Sequence, residues 1–172
     1  KNPKLISEAS NIFGSSTISI SIETQKKENE YYAYTDSGRN FSGKKVIDWV
    51  REAEEAGAGE IIITSIKNEG LRQGMNEELI QRVIEVSNIP IVAAGGVGSK
   101  GDIISILEKK IPLSGVAIAS CFHYHYLKKK SFSSHSEGNQ DYIKGKRDQH
   151  DESSFSIIDL KKNIKEFNDK NI

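Results

Sequence analysis

Hydrophobic positions along the chain switch repeatedly between two periods. In "STISISIE", Ser16 to Glu23, polar and β-branched residues alternate, which predicts a strand with one buried face and Glu23 at its C-terminal end. "YYAYTDSGRNFSG" reads as a strand with a turn around Ser37 and Gly38. "KKVIDWVREAEEAGAG" has helical spacing and is closed by Gly57 and Gly59. The pattern then repeats: "EIIITSI" as a buried strand, "NEELIQRVIEVSN" as a helix, "IPIVAA" as a strand, "SKGDIISILEKK" as a helix, and "GVAIAS" as a strand ending at Ser120. A final helix follows at "SIIDLKKNIKEFND". At the other end, "KNPKLISEASNIFG" predicts a short helix with Asn2 as N-cap, Pro3 at the first helical position and Gly14 just past its end.

Strands that read as continuous Ile and Val runs belong in a parallel sheet covered by helices, so the fold class is α/β. The repeat length fits a (β/α)8 TIM barrel, in which about 250 residues form eight units. Four strand units amount to half of one, with the N-terminal helix left over from the unit before. An open doubly wound sheet shares the same spacing.

Composition narrows the partners. The chain has 172 residues, with 24 Lys and Arg against 24 Asp and Glu. That is the size of a single domain, residues 1–172, without a global charge bias toward nucleic acid or membrane. The single cysteine, Cys121, excludes an internal disulfide framework. No apolar run nears the roughly 18 residues of a membrane span, so a cytoplasmic protein is expected. The chain opens with Lys1, directly into a helix, and reads as cut from something longer.

The chemistry gathers where strands end. In "IPIVAAGGVGSKGDI", Gly95, Gly96 and Gly98 follow a strand and precede a helix, where backbone approaches an anion closely and helix N–H groups point outward. This predicts a phosphate cradle, with simple tight-turn glycines as the alternative. Ser120, at the end of the next strand, is placed to join it, because neighbouring strand ends of barrels commonly share a phosphate site.

Four blocks, "NPKLI…IFGSS", "GAGEIIITSIKNEG", "IPIVAAGGVGS" and "GVAIASCFH", together resemble the C-terminal half of the cyclase subunit of imidazole glycerol phosphate synthase, a (β/α)8 barrel of histidine biosynthesis. The likeness runs from Asn2 to about Tyr124 and resumes in the last helix. It implies a heterodimer with a glutaminase subunit that delivers ammonia. The substrate implied is phosphoribulosyl-formimino-aminoimidazole carboxamide ribonucleotide, converted to imidazole glycerol phosphate and aminoimidazole carboxamide ribonucleotide without a cofactor. It further implies substrate phosphate binding by Gly70, Gly95, Gly96 and Ser120, catalysis by Glu23, and a charged ammonia gate containing Glu60. The second phosphate site and the first catalytic aspartate of that family would lie in the half that is missing.

Several residues depart from the family pattern. Glu23 stands where the family has an aspartate; it keeps the carboxyl for proton transfer but adds a methylene, and a displacement of about an ångström costs on the order of 100-fold in a poised site. In "KNEGLRQGMN", Lys67 stands at an acid, Glu69 at an aspartate, Leu71 at a threonine and Met75-Asn76 at a Tyr-Asp pair; Ala94 stands at a serine. The backbone glycines survive while side-chain donors are lost, with Lys67 as a possible replacement charge. This drift brings in two other readings: a paralogue amidinating a surface sugar, and a non-catalytic barrel scaffolding a glutaminase.

Residues 126–154 form a polar insertion of mixed charge, in which Lys128 to Lys130 would attract phosphate if they reach the catalytic face. His123 and His125 form an H-x-H pair that no third ligand completes, so no metal site is expected. Cys121 reads as a small core residue. A half-barrel exposes strand edges and an apolar interior, so self-association is expected unless the other half is supplied.

Overall fold

A computed structural model describes the protein over residues 2–129 and 154–171. The side chains of the basic run Lys128 to Lys130, and most of the 126–154 insertion, lie outside the described part. The chain runs α1 (Lys4–Phe13), a 3-10 turn (Ser15–Thr17), β1 (Ser19–Lys27), β2 (Glu30–Thr35), β3 (Asn40–Lys45), α2 (Val46–Glu55), β4 (Glu60–Ser65), α3 (Glu77–Ile84), β5 (Ile91–Ala94), α4 (Lys100–Glu108), β6 (Gly115–Ala117), α5 (Ser120–Lys129) and α6 (Ile157–Asn171).

The strands form one six-stranded sheet in the order β3-β2-β1-β4-β5-β6. β1, β4, β5 and β6 are mutually parallel and follow each other through helices, as buried Ile-rich runs require. β2 and β3 make an antiparallel hairpin added to the C-terminal half of β1. The fold is thus α/β with a predominantly parallel sheet.

Strand alternation divides the sheet into two faces. Ile22, Ile61, Ile63, Ile91 and Ala93 are buried against Val46 and Val50 of α2 and Leu79, Ile80 and Val83 of α3. Each Ile, Leu or Val among them contributes about 1.5–3 kcal/mol on burial. A second cluster joins Val97, Ile103 and Cys121 to Phe155 and Leu160, which brings α6 onto α4. The other face carries Ser19, Ser21 and Glu23 of β1, Glu60, Ile62 and Thr64 of β4, Val92 and Ala94 of β5, and Gly115 and Ala117 of β6. Most of these are exposed or half-buried.

Three local expectations are corrected. β1 does not end at Glu23 but continues to Lys27, because the hairpin supplies a new antiparallel partner where β4 stops: Glu23 pairs with Thr64 on one side and Tyr34 on the other. β6 stops at Ala117, and Ser120 is the first residue of α5 rather than the end of a strand. In α1, Pro3 occupies the cap position, and the Asn2 side chain accepts the Lys4 amide at 3.2 Å from one residue further out.

Candidate active site

The loop from β5 to α4 owes its glycines largely to a neighbouring loop. A Cβ on Gly96 would collide with the Gly74 carbonyl oxygen, and one on Gly98 with the Arg72 carbonyl oxygen. The two loops touch backbone to backbone, and the Gly74 amide donates to the Gly96 carbonyl at 2.9 Å. The β4–α3 loop is held in shape from within: Ser65 Oγ donates to Asn68 Oδ1 at 2.8 Å, and Asn68 Nδ2 donates to the Gly74 carbonyl at 3.0 Å. Asn76, at the end of this loop, caps α3 by accepting the Leu79 amide at 3.1 Å.

Between the two loops and the start of α5 lies a cleft of about 440 Å³. Gly70, Gly95, Gly96 and Ser120 all line it, so four residues spread over 50 positions of the chain come together. Gly98 leaves this group. The Asp102 carboxylate accepts the amides of Gly98 and Ser99 at 2.8 and 2.9 Å, which commits those donors at the α4 N-terminus. The cleft therefore presents the backbone of Gly70, Gly95 and Gly96, with Ser120 on its wall.

His123 and Tyr124 also line the cleft, and sequence reasoning missed both as site residues. The signal was there: once Ser120 is the first residue of a helix, positions three and four further on share its face. The same geometry separates the H-x-H pair, since residues two apart point to different sides of a helix. Among the described residues no group of three or more His, Cys, Asp or Glu is placed to hold a metal ion. Cys121 is fully buried, its Sγ donating to the Val97 carbonyl at 2.9 Å. Lys67 is exposed, whereas the Arg72 guanidinium lies 4.8 Å from the centre of the Tyr124 ring and brings a cation to the rim. Glu69 lines the cleft beside Gly70.

Glu23 is half-buried and stands outside the cleft, on the same end of the sheet. It belongs to the cross-strand row Glu23–Thr64–Ala94–Ala117, whose last two members border the cleft. Two strand spacings put its Cα roughly 10 Å from that of Ala94. Glu60 lies at the opposite end of the same face, four residues or roughly 13 Å down β4 from Thr64. It accepts a hydrogen bond from Ser19 Oγ at 2.6 Å, and no Lys or Arg pairs with it among the described residues.

The hairpin is fastened to α3 by charge. Tyr31 Oη donates to Asn76 Oδ1 at 3.1 Å and to Glu78 Oε2 at 3.0 Å. Glu78 pairs with Lys26 at 2.7 Å, and Arg82 bridges Glu78 and Glu30 at 3.0 Å each. Lys45 holds the Glu30 carboxyl below the ordinary range, Lys26 does the same for Glu78, and burial pushes the Tyr31 phenol up. This network steadies the wall in which Glu23 sits.

Residues 1–128 match the family described as "Histidine biosynthesis protein". Among curated proteins, the chain is 38% identical over 135 residues to the imidazole glycerol phosphate synthase subunit HisF of Natranaerobius thermophilus, covering 78% of this chain and 53% of that protein. It is 34% identical over 126 residues to the same subunit of Petrotoga mobilis, covering 72% and 49%. Against the subunit of Legionella pneumophila it is 44% identical over 99 residues, covering 57% and 47%. The chain thus spans about half the length of the curated relatives it matches, and with its parallel sheet and matched residues it belongs to the histidine biosynthesis protein family.

Proposed function

We propose that residues 1–172 are one domain, about four βα units from the C-terminal half of a (β/α)8 barrel, and that the whole protein is the cyclase subunit of imidazole glycerol phosphate synthase. The names of the relatives support this reading and favour neither the sugar-amidinating paralogue nor the scaffold. The observation that carries it is the shared row: a carboxylate, Glu23, and a glycine-lined cleft open on one end of the sheet, roughly 10 Å apart. A substrate with a phosphate at its end and a reacting centre several bonds away fits that separation.

The roles follow from the chemistry. Gly70, Gly95 and Gly96 offer backbone close to a phosphate, and Ser120 adds a hydroxyl. Ammonia addition leaves a nitrogen that must lose a proton before the ring closes. Expulsion of aminoimidazole carboxamide ribonucleotide needs a proton returned to its leaving nitrogen. One carboxyl that accepts and then donates performs both, and Glu23 has that chemistry. Glu60, at the far end, takes the position of an ammonia gate facing a glutaminase subunit. The reaction is an ammonia-dependent cyclisation and lysis. The half-barrel alone is inactive, because a second phosphate site and a second acid must come from the remaining half.

The test is turnover of the phosphoribulosyl-formimino substrate with ammonium salt by the full-length protein. Glu23→Ala lowers kcat by at least ~100-fold, and Glu23→Asp, which keeps the carboxyl, is more active than Glu23→Ala, as expected for a general acid–base. Unchanged turnover in Glu23→Ala would remove Glu23 from the mechanism.

A further inference from the structure

The β2–β3 hairpin has one face used by the core and one left over. Tyr31 and Ala33 are buried, so strand alternation turns Tyr32 and Tyr34 to the opposite side. There the Phe41 ring centre lies 5.2 Å from that of Tyr32 and 5.6 Å from that of Tyr34, and Phe41 is 47% exposed. Lys27 Nζ covers Phe41 at 4.7 Å from the ring centre. Tyr34, half-buried, is the ring of this group that stands directly across the strand pair from Glu23.

Its position is set twice. Tyr34 is the cross-strand partner of Glu23, so both side chains rise from one face with Cα atoms about 4.5–5.5 Å apart. The hairpin turn is packed down: a Cβ on Gly38 would meet Ile66 Cδ1 at 3.0 Å, and the Ile66 amide donates to the Thr24 carbonyl at 2.9 Å. Ile66 leads directly into the loop that walls the glycine cleft. The aromatic face is therefore an extension of the candidate site.

Resting on the proposed function, we infer that Tyr34, supported by Tyr32 and Phe41, stacks on the planar aminoimidazole ring of the substrate. Along the sheet the order is glycine cleft, Thr64, Glu23, Tyr34. A ribonucleotide carrying a sugar phosphate on one side of its reacting centre and a neutral heteroaromatic ring on the other needs that order of phosphate cradle, acid–base and flat apolar platform. A tyrosine face suits any such ring because stacking draws on the π-surface.

Calorimetry on the full-length protein tests this with two probes, aminoimidazole carboxamide ribonucleotide and ribose 5-phosphate, which lacks the ring. Tyr34→Leu is expected to weaken the ribonucleotide about tenfold and leave ribose 5-phosphate unchanged, while Tyr34→Phe binds both as the parent does. Equal loss for both probes, or no loss for either, overturns the stacking role. So does a Tyr34→Leu variant whose only change is a lower Tm, which would make the aromatics a structural prop or a seat for the rest of the barrel. If Glu23→Ala abolishes turnover while Tyr34→Leu spares ring affinity, only the stacking falls. If Glu23→Ala keeps full turnover, the acid–base assignment falls whatever the calorimetry reads.

Discussion

Ile62 and Ile63 are neighbours in β4, chemically identical, and live in different surroundings. Ile63 is 1% exposed, packed under α2 and α3, whereas Ile62 points to the opposite face and is only half-buried. That opposite face also holds Glu23, Thr64 and Ala94 toward one end and Glu60 toward the other. One side of the sheet is closed by apolar packing that pins strand positions, and the other is open and carries the polar groups. The contrast teaches that the stability and the candidate chemistry of this chain are written on alternate residues of the same strands, so each can change with little cost to the other.

The largest effect that sharpens this contrast is in the core. Ile63→Ala should cost about 2–5 kcal/mol in chemical denaturation, while Ile62→Ala in the 172-residue chain should cost less than about 1 kcal/mol. In the full-length protein the Ile62→Ala cost should climb toward that of Ile63→Ala, because the remaining strands would enclose that face. Equal costs in the short chain would break the comparison and show the open face already covered, for example by self-association.

Next in size are the glycines. Gly98→Ala should destabilise by roughly 2 kcal/mol, since its Cβ has no room beside the Arg72 carbonyl. Gly70→Ala has open space around it and only a φ of +73° to sustain, so its cost should stay near 1 kcal/mol. Phosphate affinity in the full-length protein should respond in the reverse order, because Gly70 lines the cleft and Gly98 does not. A Gly98→Ala protein of parent stability would show that the two loops do not pack as described.

The smallest effect is the pH response of the hairpin. Glu30 and Glu78 have carboxyls held low by their cations, so the support they give is present above the ordinary glutamate range and lost as pH falls through their lowered values. Tyr31 has its phenol raised by burial, so its support is present below about pH 10 and lost as pH rises through the raised value. Amide exchange at Tyr31 to Tyr34 should therefore quicken at both extremes while β5 stays protected. Exchange that quickens equally in β5 would mean that the network steadies the whole sheet.

Much of this architecture was legible in the chain. Apart from the ends of β1 and β6, the strands and helices fall where the periods of two and 3.6 place them, and Gly70, Gly95, Gly96 and Ser120 do meet in one cleft. What escaped was non-local. Glu23 reads as a strand end because the alternation of "STISISIE" stops there, yet the hairpin returns to pair with the residues beyond. Gly98 reads as part of the anion cradle, yet its amide serves Asp102 and its α-carbon faces a carbonyl 26 residues earlier in sequence. His123 and Tyr124 were hidden by extending β6 through Ser120, which erased the helical spacing that puts them on one face.

By itself the sequence determined the order of elements and which alternate residues are buried, because hydrophobic periodicity is a property of a few neighbouring residues and needs no partner to be expressed. The tertiary structure alone decided that Glu23 stands between Thr64 and Tyr34, that Gly98 is a packing residue, and that an aromatic face adjoins the carboxylate. Those outcomes depend on strand register and on two loops touching backbone to backbone, and contacts between segments far apart in the chain exist only once the sheet has assembled.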